Sequence, residues 1–244
     1  MAEHEKSLHE LREEEALLKY LSEAGGDPNA GIPEEILNRF LTTKRSRAQF
    51  RAFYDEVAAR NMLRNVREKE RVSVFLHPRF HDMPNARSDH HIIKILLTGR
   101  MPLDLDGCRL MLEPGDICFI APGVEFSRPT LDQNTLLLNI IFNAHPESIF
   151  HQIFSTKNPL TVFYQLTEVP ALRVPYLLCR TGDDPEVRDV LSIICDYKAE
   201  RIRDNSGERV AELMVEQLLL MLLERHLEDF SDLWKTNARA HGFG

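Results

Sequence analysis

Turn residues separate a series of short apolar segments between residues 71 and 142, and this alternation constrains the fold more than any other feature of the chain. Asp106-Gly107 is a strong hairpin signal, and Pro114-Gly115-Asp116 and Pro122-Gly123 mark two further turns. The segments between the turns are RVSVFLHP, HIIKILLTG, MPLDLDGCRLML, DICFIAPG and NTLLLNIIF. This rhythm predicts an antiparallel sandwich or barrel.

Both flanks of the β-rich region show helical spacing. Apolar residues recur near helical spacing before residue 71, and Pro33 suits the first position of a helix there. After Phe142, helical segments are HPESIFHQIFS, a stretch from Asp184 to about Arg201, and GERVAELMVEQLLLMLLERH. We therefore predict an α+β chain in four parts, which are a helical segment at 1–70, a β-barrel at 71–143, a helical subdomain at 144–230 and a linker-like tail at 231–244.

Composition restricts the partners. The formal net charge of −8 opposes nucleic-acid binding through bulk charge. The N-terminus lacks the apolar stretch of a signal peptide, and the longest apolar run, Leu218 to Leu223, is too short to span a bilayer. Four cysteines show no metal-finger spacing, which favours free thiols in a reducing compartment. We expect a cytoplasmic protein without a membrane partner.

Four stretches, in this order, carry a resemblance to a known family: HPRFHDMPN, LDLDGCRLMLEPGDICFIAPGVEFS, LLLNIIF and VPYLLCRTGDDPEVRDVLSIICDYKAER. From about Val72 to Leu227 the chain resembles the effector-binding half of AraC-type bacterial transcription regulators. The resemblance implies a cupin-like antiparallel β-barrel of the jelly-roll type, followed by dimerisation helices. It also implies a small-molecule effector, of unknown identity, and a homodimer. DNA would be bound only through a helix-turn-helix domain, which we expect to be absent from this chain.

The segment NARSDHHIIKILLTGR, residues 85–100, raises the question of a metal site. Adjacent residues of a strand point to opposite faces, so at most one of His90 and His91 can face a barrel interior. In metal-binding cupins the ligand positions correspond, by the resemblance, to four residues that cannot bind a metal here: Ala86, Ser88, Ile92 and Phe126. We therefore expect neither a metal nor a cofactor.

The same alternation places Ser88, His90 and Ile92 on one face, which the resemblance makes the barrel interior together with Phe126. We predict these four residues as the ligand-binding set. His90 would be a hydrogen-bond partner for an effector. In the alternative reading, a nearby carboxylate or backbone group satisfies it, because small barrels are often filled by their own side chains.

We predict no catalytic residues, and we expect that the chain is not an enzyme. No GxSxG, GxxxxGK[ST] or HExxH motif is present, and no nucleophile accompanies His81 and Asp82. Asp104 and Asp106 lie beside a hairpin turn, where aspartate suits turn geometry. Two alternatives stay open, namely a cupin enzyme such as an isomerase or dioxygenase, and a stand-alone dimerisation partner that modulates full-length regulators.

The last predicted helix is apolar on more than one face. One face can cover the barrel or a neighbouring helix with Val210, Leu213, Met214, Leu218, Met221 and Leu222. Four residues then remain without an obvious partner in the same chain: Val215, Leu219, Leu220 and Leu223. A contiguous apolar patch usually marks an interface, so we predict an isologous homodimer through these four residues.

Overall fold

A computed structural model describes residue 19 and residues 71–77, 79, 83–169, 174–200 and 207–231. Of the predicted N-terminal helical segment only residue 19 is among them, and of the predicted tail only residue 231. The remainder of both segments lies outside the described residues, as do His81 and Asp82.

The described residues form nine strands, which are β1 (Val72–Leu76), β2 (Met83–Arg87), β3 (His91–Thr98), β4 (Met101–Leu105), β5 (Cys108–Leu112), β6 (Asp116–Ile120), β7 (Glu125–Arg128), β8 (Leu136–Phe142) and β9 (Tyr176–Arg180). All five β-rich segments quoted above contain strands, and MPLDLDGCRLML supplies the hairpin of β4 and β5. Strands β7 and β9 were not predicted, and β2 was predicted only as the beginning of the strand that contains β3.

Every pair of these strands is antiparallel, and the pairs build two sheets. The first sheet has the order β1-β8-β3-β6-β9, and the second has the order β2-β7-β4-β5. They face each other, because Lys94 Nζ of β3 lies 4.8 Å from the centre of the Phe126 ring of β7. We call the space between them the barrel interior. Among the described strands no pairing joins the two sheets, so the barrel is open. The predicted α+β class with an antiparallel barrel is confirmed.

Strand β3 lies in the middle of the first sheet, and its burial explains its near-continuous apolar sequence. Ile92, Lys94 and Leu96 alternate toward the barrel interior, whereas His91 faces the helices and contacts Tyr164. A strand covered on both faces carries apolar residues at successive positions instead of alternating with polar ones. A charged residue in such a strand is therefore buried whichever way it points.

The predicted hairpin at Asp106-Gly107 is confirmed. Both residues have positive φ, 49° and 80°, as a two-residue type I′ turn requires. Asp104 Oδ1 accepts a hydrogen bond from the Gly107 N–H at 3.0 Å, and Asp106 Oδ1 accepts one from the Glu125 N–H at 3.0 Å. These contacts give both carboxylates the predicted role in turn geometry.

The described helices are α1 (Pro146–Ile149), α2 (His151–Phe154), α3 (Pro159–Thr167), α4 (Pro185–Glu200) and α5 (Gly207–Arg225), with a short 3₁₀ turn at Leu227–Asp229. The two long helices match their predictions, whereas HPESIFHQIFS divides into α1 and α2. Helix α3 was not predicted. None of the helices that the structure describes combines the length and apolar character of a membrane span.

Strand β9 lies inside the region predicted to be helical, so that prediction is wrong for residues 176–180. The strand pairs with β6 from Asp116↔Arg180 to Ile120↔Tyr176 and extends the first sheet. Its first four residues are all buried. A short apolar run that is buried on both sides has no periodicity that separates a strand from a helix, which explains the error.

Helix α5 places two of the four predicted interface residues in the core of its own chain. Val215 is 0% exposed and Leu219 is 1% exposed, so the prediction that they lack a partner in the same chain is wrong. The physical reason is that α5 packs on both α4 and β1, and these two neighbours cover more of its circumference than one face. Leu220 remains exposed and Leu223 partly buried.

Candidate functional site

The segment at residues 85–100 is two strands in different sheets rather than one. Strand β2 ends at Arg87 in the second sheet, and β3 begins at His91 in the first. Ser88 and His90 lie in the bend between them, where the His90 N–H donates to Ser88 Oγ at 3.1 Å. Alternation therefore does not continue from residue 86 to residue 92, and the argument that put Ser88 and His90 on the interior face is corrected. Their role as ligand contacts stays a prediction.

His91 faces away from the barrel interior, against the helices. Its ring lies 4.5 Å from that of Tyr164 and 6.3 Å from that of His145, measured between centroids. Burial, followed by the nearby His145 and His90, lowers the pKa of His91 from 6.5 to about 3. Its Nδ1 atom is buried, and no group in the described part of the chain forms a hydrogen bond with it. The imidazole is therefore neutral at physiological pH.

The other two predicted ligand residues do reach the barrel interior. Phe126 of β7 pairs directly with Ala86 of β2, and its ring lies beside Lys94. Ile92 is two residues before Lys94 on β3 and so shares its face. Both side chains are buried.

Lys94 is the residue that distinguishes this interior, and the sequence reasoning missed it. It is 2% exposed, and its Nζ donates to Asn139 Oδ1 at 3.0 Å. Burial, followed by repulsion from Arg128, lowers the pKa of Lys94 from 10.5 to about 7, and Cys118 acts weakly in the other direction. The sequence does contain a sign of this residue, because a lone lysine interrupts the apolar strand HIIKILLT. The prediction considered only whether the adjacent histidines bind a metal.

Arg128 and His77 extend the basic character of the interior. Arg128 Nη2 lies 2.7 Å from His77 Nδ1 and 3.0 Å from Nε2, and its Nη1 donates to the Pro129 carbonyl at 2.8 Å. Arg128 is 5% exposed and His77 is 6% exposed. The guanidinium is close enough to Lys94 to affect its titration, so two cationic side chains share one buried region.

The strands beside Lys94 supply neutral polar groups rather than a carboxylate. Lys94 is paired with Asn139 of β8 on one side and with Cys118 of β6 on the other. Burial raises the pKa of the Cys118 thiol to about 12, so the thiol stays protonated. The Nδ2 atom of Asn139 is buried and has no hydrogen-bond partner among the described residues. Among the described residues, none of the ion pairs supplies Lys94 with an acidic partner.

The described residues contain no group of three or more histidine, cysteine, aspartate or glutamate side chains placed to hold a metal. What the interior does offer is a set of hydrogen-bond donors in apolar surroundings. Lys94 Nζ and Asn139 Nδ2 are donors from which a polar or negatively charged group of a small molecule could accept hydrogen bonds.

No protein-family model matches this sequence, and no curated protein matches it significantly. Similar solved structures do exist. The AraC-type regulator ToxT from Vibrio cholerae is 13% identical over 64% of this chain and 56% of its own, with a TM-score of 0.36. An RmlC-like cupin from Methanocaldococcus jannaschii is 21% identical over 33% of this chain and 77% of its own, with a TM-score of 0.28. The DMSP lyase DddQ from Ruegeria pomeroyi is 21% identical over 30% of this chain and 39% of its own, with a TM-score of 0.26.

The comparisons correct one expectation of the sequence analysis. The inference that the chain is not an enzyme is overturned, because the similar structures include a lyase. The two facing antiparallel sheets and the helices after them make the described part of the chain an α+β fold with an open antiparallel barrel, and the similar solved structures include cupins.

Proposed function

We propose that this chain is the ligand-sensing and dimerising module of an AraC-type transcription regulator, with a small effector bound in the barrel interior. The observation that supports the proposal is the burial of Lys94 between two sheets without an acidic partner among the described residues. A buried cation without a counter-charge lowers the stability of a fold. Groups with strongly shifted pKa values cluster at functional sites, where a ligand can compensate for them.

The sheet containing Lys94 also links the interior to the helices. Strand β1 belongs to that sheet, and both α4 and α5 pack on it. An effector that shifts the strands would therefore act directly on the helices proposed to form the dimer. This arrangement gives ligand binding a short physical route to the subunit interface.

A metabolite library tested by thermal unfolding, with direct binding measured for each hit, tests the proposal. We expect at least one small molecule to raise the melting temperature of the wild type and not that of Asn139→Leu. The variant keeps the side-chain size but removes the amide oxygen that accepts from Lys94, so its own melting temperature should be lower than that of the wild type, and each response is measured against the ligand-free form of the same variant. Asn134→Leu, at an exposed turn position, is the matched control and should keep the full response. An equal response in Asn139→Leu would place the ligand outside the barrel interior.

A cupin enzyme is the second candidate, and the Lys94 amine favours it, because a pKa of about 7 suits a general base at physiological pH. Mass spectrometry of a bound hit after prolonged incubation separates the two functions. An effector is recovered unchanged, whereas a substrate is converted with time. A stand-alone dimerisation partner would in turn form heterodimers with a full-length regulator in a pull-down experiment.

The dimer is proposed to form through the exposed side of α4 and α5. Leu213 and Leu220 lie two turns apart on α5 and are 49% and 43% exposed, and Ile193 of α4 is 55% exposed. An ionic network fixes the two helices to each other: Asp184 Oδ2, just before α4, accepts from Arg225 Nη2 at 3.2 Å and from His226 Nε2 at 3.0 Å. The apolar side chains are thus presented on a fixed surface, as an isologous interface requires.

Replacing Leu213 and Leu220 together with glutamate should give a folded monomer, because each new carboxylate would be buried without a partner at the interface. Light scattering at micromolar concentration measures the mass, and circular dichroism checks the fold. Leu219→Glu is the contrasting variant and should unfold the protein, because Leu219 lies in the core. A double variant that remains dimeric would place the interface elsewhere.

A further inference from the structure

We infer that the barrel interior binds small organic acids, with the carboxylate group of the ligand held by Lys94 and Asn139. This inference rests on the ligand-binding function proposed above and specifies its chemical class. It depends on three observations: the donors that remain available, the charge around them and the apolar surroundings.

The donors converge from two neighbouring strands. Lys94 and Asn139 stand directly opposite each other in the register of β3 and β8. The contact from Lys94 Nζ to Asn139 Oδ1, at 3.0 Å, uses one of the three ammonium hydrogens. The amide group of Asn139 is oriented with its oxygen toward the lysine, which leaves its Nδ2 buried without an acceptor. Asn139 Nδ2 and the remaining ammonium hydrogens of Lys94 are thus donors on adjacent strands, and the two oxygens of a carboxylate could accept from them.

The charge of the surroundings selects an anion over a neutral or cationic group. The groups near Lys94 are Arg128 from β7, with His77 bound to it, and the protonated Cys118 thiol from β6. None of them carries a negative charge. A carboxylate would form charge-assisted hydrogen bonds, which are roughly twice as strong as neutral ones, and would offset the repulsion between the two cations. A second cation would add to that repulsion.

Apolar side chains surround the polar group. Ile92 and Leu96 lie on the same face of β3 as Lys94, and the Phe126 ring covers the ammonium at 4.8 Å. A ligand with one charged group and an apolar remainder would match these surroundings, and it would have to displace some of these side chains, because they are at most 5% exposed.

Matched pairs of probes test the inference by isothermal titration and thermal unfolding. Hexanoate, octanoate and benzoate are compared with hexanamide, octanamide and benzamide, which have nearly the same shape but no charge. We expect at least one acid to bind the wild type at least tenfold more tightly than its amide. Lys94→Met should weaken binding of that acid at least tenfold. Lys157→Met removes an exposed lysine and should leave it unchanged.

The pH profile of acid binding provides a readout that a purely structural role would not change. Above pH 7 the ligand-free Lys94 loses its proton, because its pKa is about 7, so binding of the acid requires proton uptake. The dissociation constant should be flat between pH 6 and 7 and should rise up to tenfold per unit above pH 7.5. In Lys94→Met this slope should disappear.

The outcomes distinguish this inference from the proposed function. Equal binding of an acid and its amide, or full binding of the acid by Lys94→Met, would overturn the carboxylate assignment and leave a ligand-binding barrel in place. If neither the six probes nor the metabolite library produced any binding, both proposals would be wrong.

Discussion

Replacing Lys94 with methionine should stabilise the protein by about 1–4 kcal/mol at pH 7. Methionine keeps the length of the side chain and removes a fully buried charge, and replacement of buried charges by apolar residues is often stabilising by this amount. The buried Asn139 oxygen loses its donor in the variant, which reduces the gain. The measurement is the free energy of unfolding in urea at pH 7.

The sign of this effect follows from the two pKa values of Lys94. In the unfolded chain the pKa is 10.5 and in the folded protein it is about 7, so folding is opposed wherever the unfolded chain holds the proton more tightly. The destabilisation is full below pH 7 and disappears as the pH rises to 10.5. The advantage of Lys94→Met should therefore shrink between pH 7 and pH 10.

The control is Lys157→Met, at an exposed position, which should change the free energy of unfolding by less than about 0.5 kcal/mol. A destabilised Lys94→Met variant would contradict the expectation, since it would mean that the ammonium contributes more through its contacts than its burial removes. A variant that is more stable but no longer binds organic acids would show that the residue is kept for binding rather than for folding.

Acidification from pH 6.5 to pH 5 should destabilise the protein by about 2 kcal/mol through His91. The pKa of this imidazole is about 3 in the folded protein and 6.5 when unfolded, so below pH 6.5 the unfolded chain takes up a proton that the folded protein excludes. Each pH unit in that range corresponds to about 1.4 kcal/mol. The stability that His91 confers is thus present above pH 6.5 and lost as the pH falls toward 3.

His91→Phe should flatten this part of the pH profile, because a phenyl ring can contact Tyr164 without titrating. His151→Phe, at an exposed position, should leave the profile as it is in the wild type. Asp184 affects the stability only at lower pH, because its pKa is about 2. Burial alone favours the neutral form of this carboxyl, but hydrogen bonds from Glu186, Val187, Arg225 and His226 outweigh that effect. A profile that stays steep in His91→Phe would assign the acid sensitivity to another group.

The sequence predicted most strands because their boundaries are set locally. Asp106-Gly107 adopts the positive φ values that close a hairpin, and the strands on either side follow from it. The long helices were predicted for a similar reason, since their apolar spacing is a property of consecutive residues. Strand β9 was not predicted, because its partner β6 is about 60 residues earlier and no local signal identifies that pairing.

The candidate site was only partly predictable. Ile92 and Phe126 were placed in the barrel interior by the family resemblance, and their side chains are buried there. Ser88 and His90 were assigned by extending strand alternation through a bend that the sequence does not mark. Lys94 was overlooked because its environment depends on the neighbouring strands of the sheet. These strands place Asn139 and Cys118 beside it, and both residues are distant from it in the sequence.

The position of β9 has a consequence for how the chain folds. The first sheet is completed only when residues 176–180 join β6, and Phe230 then adds a bridge to Cys179. Until that stretch leaves the ribosome, β6 presents an open edge of unpaired backbone groups, which is a template for wrong pairing. Closing so long a loop also makes folding slow, because the entropy of the intervening chain is lost before the contact forms. A fragment that stops at residue 143 would keep this open edge permanently and should aggregate, whereas one that continues to residue 231 would not.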